Sequence, residues 1–392
     1  MHEVVIIDAV RTPIGKRGGG LSTSHSVEIL GEVQNALFER SGVDPKEIGQ
    51  VIGGCVGQVG MQTMNVTRTA WLTAGLPIES AATTVDAQCG SSQQATNLAY
   101  ALVASGTVDS AVGCGVELMS KVGFGATIPK EPNAGSPVTK KYFDNFEMTS
   151  QFEGSERIAD HWEITREDCD AFGKLSQDRA ARAWSEDRFA TQITPIETPI
   201  LDSEGNLTEA TTTINRDEGM RETTLESLGN LKPTGREKGV HTAGTSSQIS
   251  DGAGAVLMMT AQKAEKLGIK PIARIVDTCL VGSDPEFMLT GPIFATKKIL
   301  ADNGMRMKDI DIVEINEAFA SVVLAWEKEL QPDMENVNPN GGAIALGHPL
   351  GGTGAILMTK ALHELQRSDT ENALVTMCCG GGLGTGTLLQ RI

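Results

Sequence analysis

The sequence predicts an α/β protein built on a largely parallel sheet. Short apolar runs that end in glycines alternate with helical patterns along the chain, and the last third repeats the grammar of the first. Composition agrees: the 392 residues include 44 glycines but only 4% aromatics, which suits tight strand-to-helix turns and close-packed helices. A chain of this length implies roughly two to three domains.

Val4 to Ile7 reads as a buried strand, and Arg11 to Gly20 as a turn-rich loop whose basic residues suit either an anion or solvent. A helix from about Val27 to Ser41 carries Ile29, Leu30, Val33, Leu37 and Phe38 on one side. Gln50 to Val56 is a strand running into glycines, and Asn65 to Leu72 a further helix. Thr83 to Val85 ends a strand, and Ser91 to Ala104 is a helix on the spacing of Leu98, Leu102 and Val103, stopped by Gly106. Cys89 therefore sits on the turn that opens this helix. Free N–H groups and the helix dipole there favour a thiolate and lower the thiol pKa, an effect that burial partly reverses. A small core cysteine beside a tight turn is the competing reading.

Asp109 to Glu117 is the next strand. From about Lys121 to Val240 the chain becomes rich in charge, Pro and Thr, as in Pro129 to Asn133 and Pro195 to Pro199, with a helix from Thr165 to Trp184. It reads as an insertion, mostly loops, that shapes a substrate site. His241 to Gly252 is a polar loop leading into the strand Ala255 to Met259.

In the last third, Ile272 to Val276 and Ile310 to Ile315 are strands, Ile293 to Asp302 is a helix, and another helix begins at Asn316-Glu317-Ala318-Phe319-Ala320. The turn Gly347 to Gly352 opens a helix from Thr353 to Leu365, and the strand Ala373 to Met377 ends at Cys378-Cys379-Gly380-Gly381-Gly382. His348 thus takes the place of Cys89, and Cys378 falls where Gly113 to Gly115 fell. Such a duplication brings all three to equivalent ends of two sheets.

Charge and cysteine usage narrow the function. With 33 Lys and Arg against 50 Asp and Glu, the net charge of −17 argues against duplex nucleic acid or an anionic membrane as partner. No run reaches the roughly 20 apolar residues of a membrane span, and the N-terminal run lacks the form of a signal peptide, so the expectation is an unprocessed, cytoplasmic protein. The seven cysteines are odd in number and widely spaced, with no CxxC pair, which fits a reduced compartment and no structural metal.

A cysteine and a histidine on helix-start turns, with a second cysteine at a strand end against glycines, suit covalent catalysis. The histidine takes the first thiol's proton, a slightly lowered Cys378 moves a proton to and from carbon or sulfur, and exposed N–H groups face a developing oxyanion.

The runs Val85-Asp86-Ala87-Gln88-Cys89-Gly90-Ser91, Asn316-Glu317-Ala318-Phe319, Asn340-Gly341-Gly342-Ala343-Ile344-Ala345-Leu346-Gly347-His348-Pro349 and Cys378-Cys379-Gly380-Gly381-Gly382 closely resemble the signature blocks of the thiolases, in that family's order and across the whole chain. His241 to Gly252 and Glu314 to Val323 look most like the bacterial degradative branch that includes steroid side-chain thiolases. The resemblance implies duplicated βαβαβαββ halves in a five-layered α-β-α-β-α arrangement. The halves would be 1–120, completed by 243–272, and 273–392, with 121–242 an inserted loop domain.

The resemblance further implies that Cys89 is acylated, His348 activates it and Cys378 is the general acid/base. Asn316 holds a water that forms one oxyanion hole with His348, and the backbone N–H groups of Cys89 and Gly380 form the other. Ser247 and Arg221 would meet coenzyme A at its pantetheine arm and nucleotide end, and Met288 and Phe319 would line the reacting end. Cys379 stands where the family usually has an ordinary residue. The implied reaction is reversible thiolysis of a 3-oxoacyl-CoA to acetyl-CoA or propionyl-CoA and a shortened acyl-CoA, with coenzyme A as co-substrate, no metal, and a homo-oligomer, a dimer or dimer of dimers.

The His-Met-Gly block usual in short-chain acetoacetyl-CoA thiolases is replaced here by Ser150-Gln151-Phe152-Glu153-Gly154-Ser155-Glu156, which favours a longer or bulkier acyl group. Acetoacetyl-CoA thiolase in the condensing direction is the nearest alternative. A decarboxylating ketoacyl synthase would be expected to carry histidine or asparagine at Cys378, a non-catalytic relative would lack one of the three reactive residues, and a cysteine hydrolase would release free acid.

Overall fold

A computed structural model describes residues 1–128 and 131–392, so Pro129 and Lys130 of the proline-rich run lie outside the described residues. In order, the elements are β1 (Val4–Arg11), β2 (Gly15–Lys16), α1 (Ser26–Ser41), β3 (Gln50–Gly54), α2 (Val66–Thr73), β4 (Ala81–Val85), α3 (Ser91–Ala104) and β5 (Ser110–Leu118). The connecting region holds α4 (Lys140–Phe143), α5 (Gln151–His161), α6 (Arg166–Ser185), the hairpin β6 (Ile196–Leu201) and β7 (Leu207–Ile214), and α7 (Leu225–Gly229). Then follow β8 (Ser250–Thr260), α8 (Ala261–Leu267), β9 (Ala273–Gly282), α9 (Gly291–Asp302), β10 (Ile312–Ile315), α10 (Ala320–Leu330), α11 (Thr353–Ser368), β11 (Asn372–Cys379) and β12 (Leu383–Arg391).

The strands run β10-β11-β12-β9-β1-β8-β5-β3-β4, with β2 attached to β8. Setting β4 aside, β1-β8-β5-β3 and β9-β12-β11-β10 have the same order within each half, which is the duplication expected from the sequence. Where a partner of β4 would lie in the second half, Val337 makes a single parallel bridge to Val313.

The sheet is mixed, not largely parallel. Only β3–β4, β3–β5 and β10–β11 are parallel among the named pairings. Two features reverse the rest. Strand β8 slots antiparallel between β1 and β5, and β12 folds straight back on β11 through Gly381 and Gly382, both at positive φ.

Alternation along the strands sorts the core into layers. On β1, Val5, Ile7 and Val10 pack outward against α1 and α2, while Val4, Ile6 and Ala9 face a middle layer made of α3 and α11. On β11, Ala373, Val375, Met377 and Cys379 also face that middle layer, whereas Leu374 and Cys378 join the opposite core with α9, α10 and α5. The result is the five-layered α-β-α-β-α arrangement.

Two local expectations shift. The helix expected from Asn316 begins only at Ala320, because Glu317 turns inward to accept hydrogen bonds from Ser176 Oγ, Asn338 Nδ2 and Ile344 N instead of solvating a first turn. Leu98, expected on the buried side of α3, is 38% exposed beside the edge strand β4.

Candidate active site

The turn before α3 is built by short polar contacts. Asp86 Oδ1 accepts the Gln88 N–H at 2.7 Å, and Ser91 Oγ accepts from Ala87 N and donates to Gln88 O. Gln88 is thereby held in the left-handed region at φ 52°, which lifts the following Cys89 into a partly exposed position. The start of α11 is wedged against the start of α3. Ser92 Oγ accepts from Ala355 N at 2.9 Å, and a Cβ on Gly354 would stand 2.2 Å from Gln93 N. His348 precedes this contact. Its neighbour Gly347, at φ 117°, has no room for a side chain, since a Cβ would meet Ser250 Oγ at 2.3 Å.

Asn316 joins the second half of the site. Its Nδ2 lies 3.5 Å from His348 Nε2 and donates to Cys378 Sγ at 3.8 Å. Its Oδ1 is buried and accepts from no protein group among the described residues. On the other side of His348, Nδ1 stands 2.6 Å from Thr353 Oγ1, which donates its only proton to Pro349 O at 2.9 Å. The hydroxyl must then accept from Nδ1–H, so Nε2 carries the free lone pair.

Electrostatics correct the expected thiolate. Burial pushes the Cys89 thiol up to about 11, outweighing the lowering by the backbone N–H groups of Gly380 and of Cys89 itself. Cys378 rises to about 12, first by burial and then by repulsion from a Cys89 thiolate, against the lowering by Asn316. Burial brings His348 down to about 4. At neutral pH the resting site therefore holds two thiols and a neutral imidazole, and the thiolate forms only as the proton is taken.

The structure thus gathers Cys378, Asn316 and His348, with Cys89 close enough to Cys378 to repel it and to Gly380 to receive its N–H. Ser247 is half-buried and donates its N–H to Ala318 O beside this group. Met288 borders a cavity of about 630 Å³ that also touches Gln88 and Gly380. Phe319 is buried between Phe152 and His241 rather than lining that cavity. Arg221 lies outside the cluster on an exposed loop.

Sequence reasoning missed Thr353 and Glu117. Buried Glu117 accepts N–H bonds from Val56, Gly57 and Gly351 and from Gln62 Nε2, tying the turn after His348 to the loop after β3. No spacing rule flags an isolated glutamate near the end of an apolar strand. Thr353 follows His348 by five residues and reads only as a helix opening. Among the described residues no group of three or more His, Cys, Asp or Glu side chains could hold a metal ion, and no helix is long and apolar enough to cross a membrane.

The thiolase N-terminal domain family matches residues 4–262, and the thiolase C-terminal domain family matches residues 269–391. The chain belongs to the thiolase family. As a thiolase it is an acyltransferase that works on coenzyme A thioesters. It is 43% identical to the steroid 3-ketoacyl-CoA thiolase FadA6 of Mycobacterium tuberculosis, over 100% of this chain and 95% of that protein. It is 39% identical to the 3-oxoadipyl-CoA/3-oxo-5,6-dehydrosuberyl-CoA thiolase of Escherichia coli, over 100% of both. Its fold matches the crystal structure of the Bacillus anthracis acetyl-CoA acetyltransferase with a TM-score of 0.91 at 35% identity, covering 100% of this thiolase and 99% of that chain.

Proposed function

We propose that this thiolase cleaves a 3-oxoacyl-CoA larger than acetoacetyl-CoA in the degradative direction, through an acyl-Cys89 intermediate. The observation that carries the reading is Asn316 Nδ2 bridging His348 Nε2 and Cys378 Sγ, next to the Gly380 N–H that faces Cys89. His348 Nε2 takes the Cys89 proton as sulfur attacks C3. The C2–C3 bond breaks, and the Cys378 thiol gives its proton to C2 of the departing acetyl-CoA enolate. Coenzyme A then passes its thiol proton to the Cys378 thiolate and attacks the acyl group, and the Cys89 thiolate recovers the proton from His348. Charge on the C3 oxygen, which stays on the acyl carbon through both half-reactions, is met by the N–H groups of Cys89 and Gly380, and charge on the enolate oxygen of the departing acetyl-CoA by Asn316 and His348 with a water. Two half-reactions through a covalent intermediate give ping-pong kinetics.

The 43% identity to a steroid 3-ketoacyl-CoA thiolase supports a degradative role and a bulky acyl group. In this reading Ser247, half-buried beside the Asn316 segment, would meet the pantetheine arm, the exposed Arg221 would meet the nucleotide end, and residues 131–242 would form the substrate-side wall. Strand β4 is an open sheet edge, and with Leu98 and Leu102 it borders an apolar groove of about 370 Å³, which supports pairing of two copies along this edge. Seven free cysteines fit a cytoplasmic setting.

The deciding experiment is thiolysis across a panel of 3-oxoacyl-CoAs that includes steroid side-chain thioesters, with mass spectrometry of quenched enzyme. Acyl mass on Cys89 and efficiency rising with acyl size are expected. A steep preference for acetoacetyl-CoA rejects the substrate class, and free acid as product rejects thiolysis.

A further inference from the structure

The cavity beside the nucleophile turn has a chemistry that selects among acyl groups. Its lining includes Gln88 and Gly380, so it opens within one residue of both backbone N–H groups assigned to the C3 oxygen of the acyl group. Its apolar wall is Val138, Tyr142, Phe146, Met148, Met288 and Leu383. At about 630 Å³ it is of a size that holds a whole small-molecule ligand, so an acetyl group would leave most of it to water. Phe146 and Met148 are 46% and 55% exposed, apolar surface that a bound apolar chain would cover.

The cavity lining itself carries no cation among the described residues. Asp86 is the only charged residue lining the cavity among the described residues. The wall is clipped to the 283–288 loop by Glu147 N donating to Glu286 Oε1 at 2.8 Å and by Thr149 Oγ1 donating to Glu286 O at 3.1 Å. Arg157, the cation at this clip, is committed to Glu147, Glu153 and Glu286. Lys140 and Lys141 are exposed and do not line the cavity. A carboxylate at the end of an acyl chain in this cavity would lose water and gain no cation among the described lining residues, whereas a methyl or ring would gain apolar contact.

We propose that this cavity is the acyl-end pocket and that it takes neutral, apolar acyl groups while rejecting those that end in a carboxylate. This rests on the thiolase reading above and adds the class of acyl group that the site takes.

The test is steady-state thiolysis by the full-length protein of a matched pair, 3-oxooctanoyl-CoA and 3-oxosuberyl-CoA, which differ only in a methyl or a carboxylate at the far end. The neutral substrate is expected to have a kcat/KM at least about tenfold higher. Met148→Lys, at a half-exposed wall position that tolerates a long side chain, is expected to narrow that ratio about tenfold, and Met148→Leu to preserve it. Equal efficiencies in the wild type, or a ratio unmoved by Met148→Lys, would overturn the pocket assignment while leaving thiolysis intact. Failure to form acyl-CoA from any 3-oxoacyl-CoA would instead overturn the thiolase reading, and the pocket assignment with it.

Discussion

Replacing Thr353 with valine tests whether one hydroxyl keeps His348 in its working tautomer. Valine matches threonine in shape but removes the oxygen that stands 2.6 Å from His348 Nδ1. The ring is 4% exposed, so water cannot readily replace that acceptor. A buried donor left without a partner costs about 1–3 kcal/mol. The ring can avoid this cost by moving its proton to Nε2, but then Nε2 cannot take the proton of Cys89. Either way the barrier to acylation rises by an amount of that order, and with about 1.4 kcal/mol per factor of ten, kcat should fall roughly 10- to 100-fold. Quenched-flow mass spectrometry of acyl-Cys89 should place the loss in the first half-reaction, with KM changed less than about threefold. Thr353→Ser, which keeps the hydroxyl, should recover most of the rate. A folded Thr353→Val enzyme within about twofold of wild type, or a Thr353→Ser enzyme as slow as the valine variant, would refute the argument.

Cys89→Ala should abolish both half-reactions, whereas Cys378→Ala should still acylate slowly from an activated thioester; equal, near-normal turnover by both variants in a thiolysis assay would contradict the assigned roles. Because burial holds Cys89 up to about 11, its thiolate fraction should grow about tenfold per pH unit. Site-resolved iodoacetamide trapping should therefore accelerate from pH 7 to 9 without levelling, and a plateau below pH 8 would reveal a preformed thiolate. Lys360 Nζ lies 2.7 Å from buried Glu314 Oε2 on the strand that leads into Asn316. Lys360→Met should cost about 3–5 kcal/mol in urea unfolding, and Lys360→Met with Glu314→Leu should recover much of it. A single variant within about 1 kcal/mol of wild type would show that the pair contributes little.

The sequence by itself determined the alternation of strands and helices, the repeat of the first third in the last, and the positions of Cys89 and His348 on turns and of Cys378 at a strand end. Those features are local, set by glycine turns, apolar periodicity and contiguous blocks of residues, so they are visible without a partner. Only the tertiary structure decided strand direction, because β8 enters the sheet after the long connecting region and no local pattern states which neighbours it joins. It also separated the adjacent cysteines. Strand alternation sends Cys379 toward Gly90 and the middle layer, and Cys378 toward Asn316. The ionisation of the site was likewise decided by the fold. A helix start alone favours a thiolate, but segments from both halves of the chain pack around the partly exposed Cys89, and the resulting desolvation outweighs the backbone N–H groups.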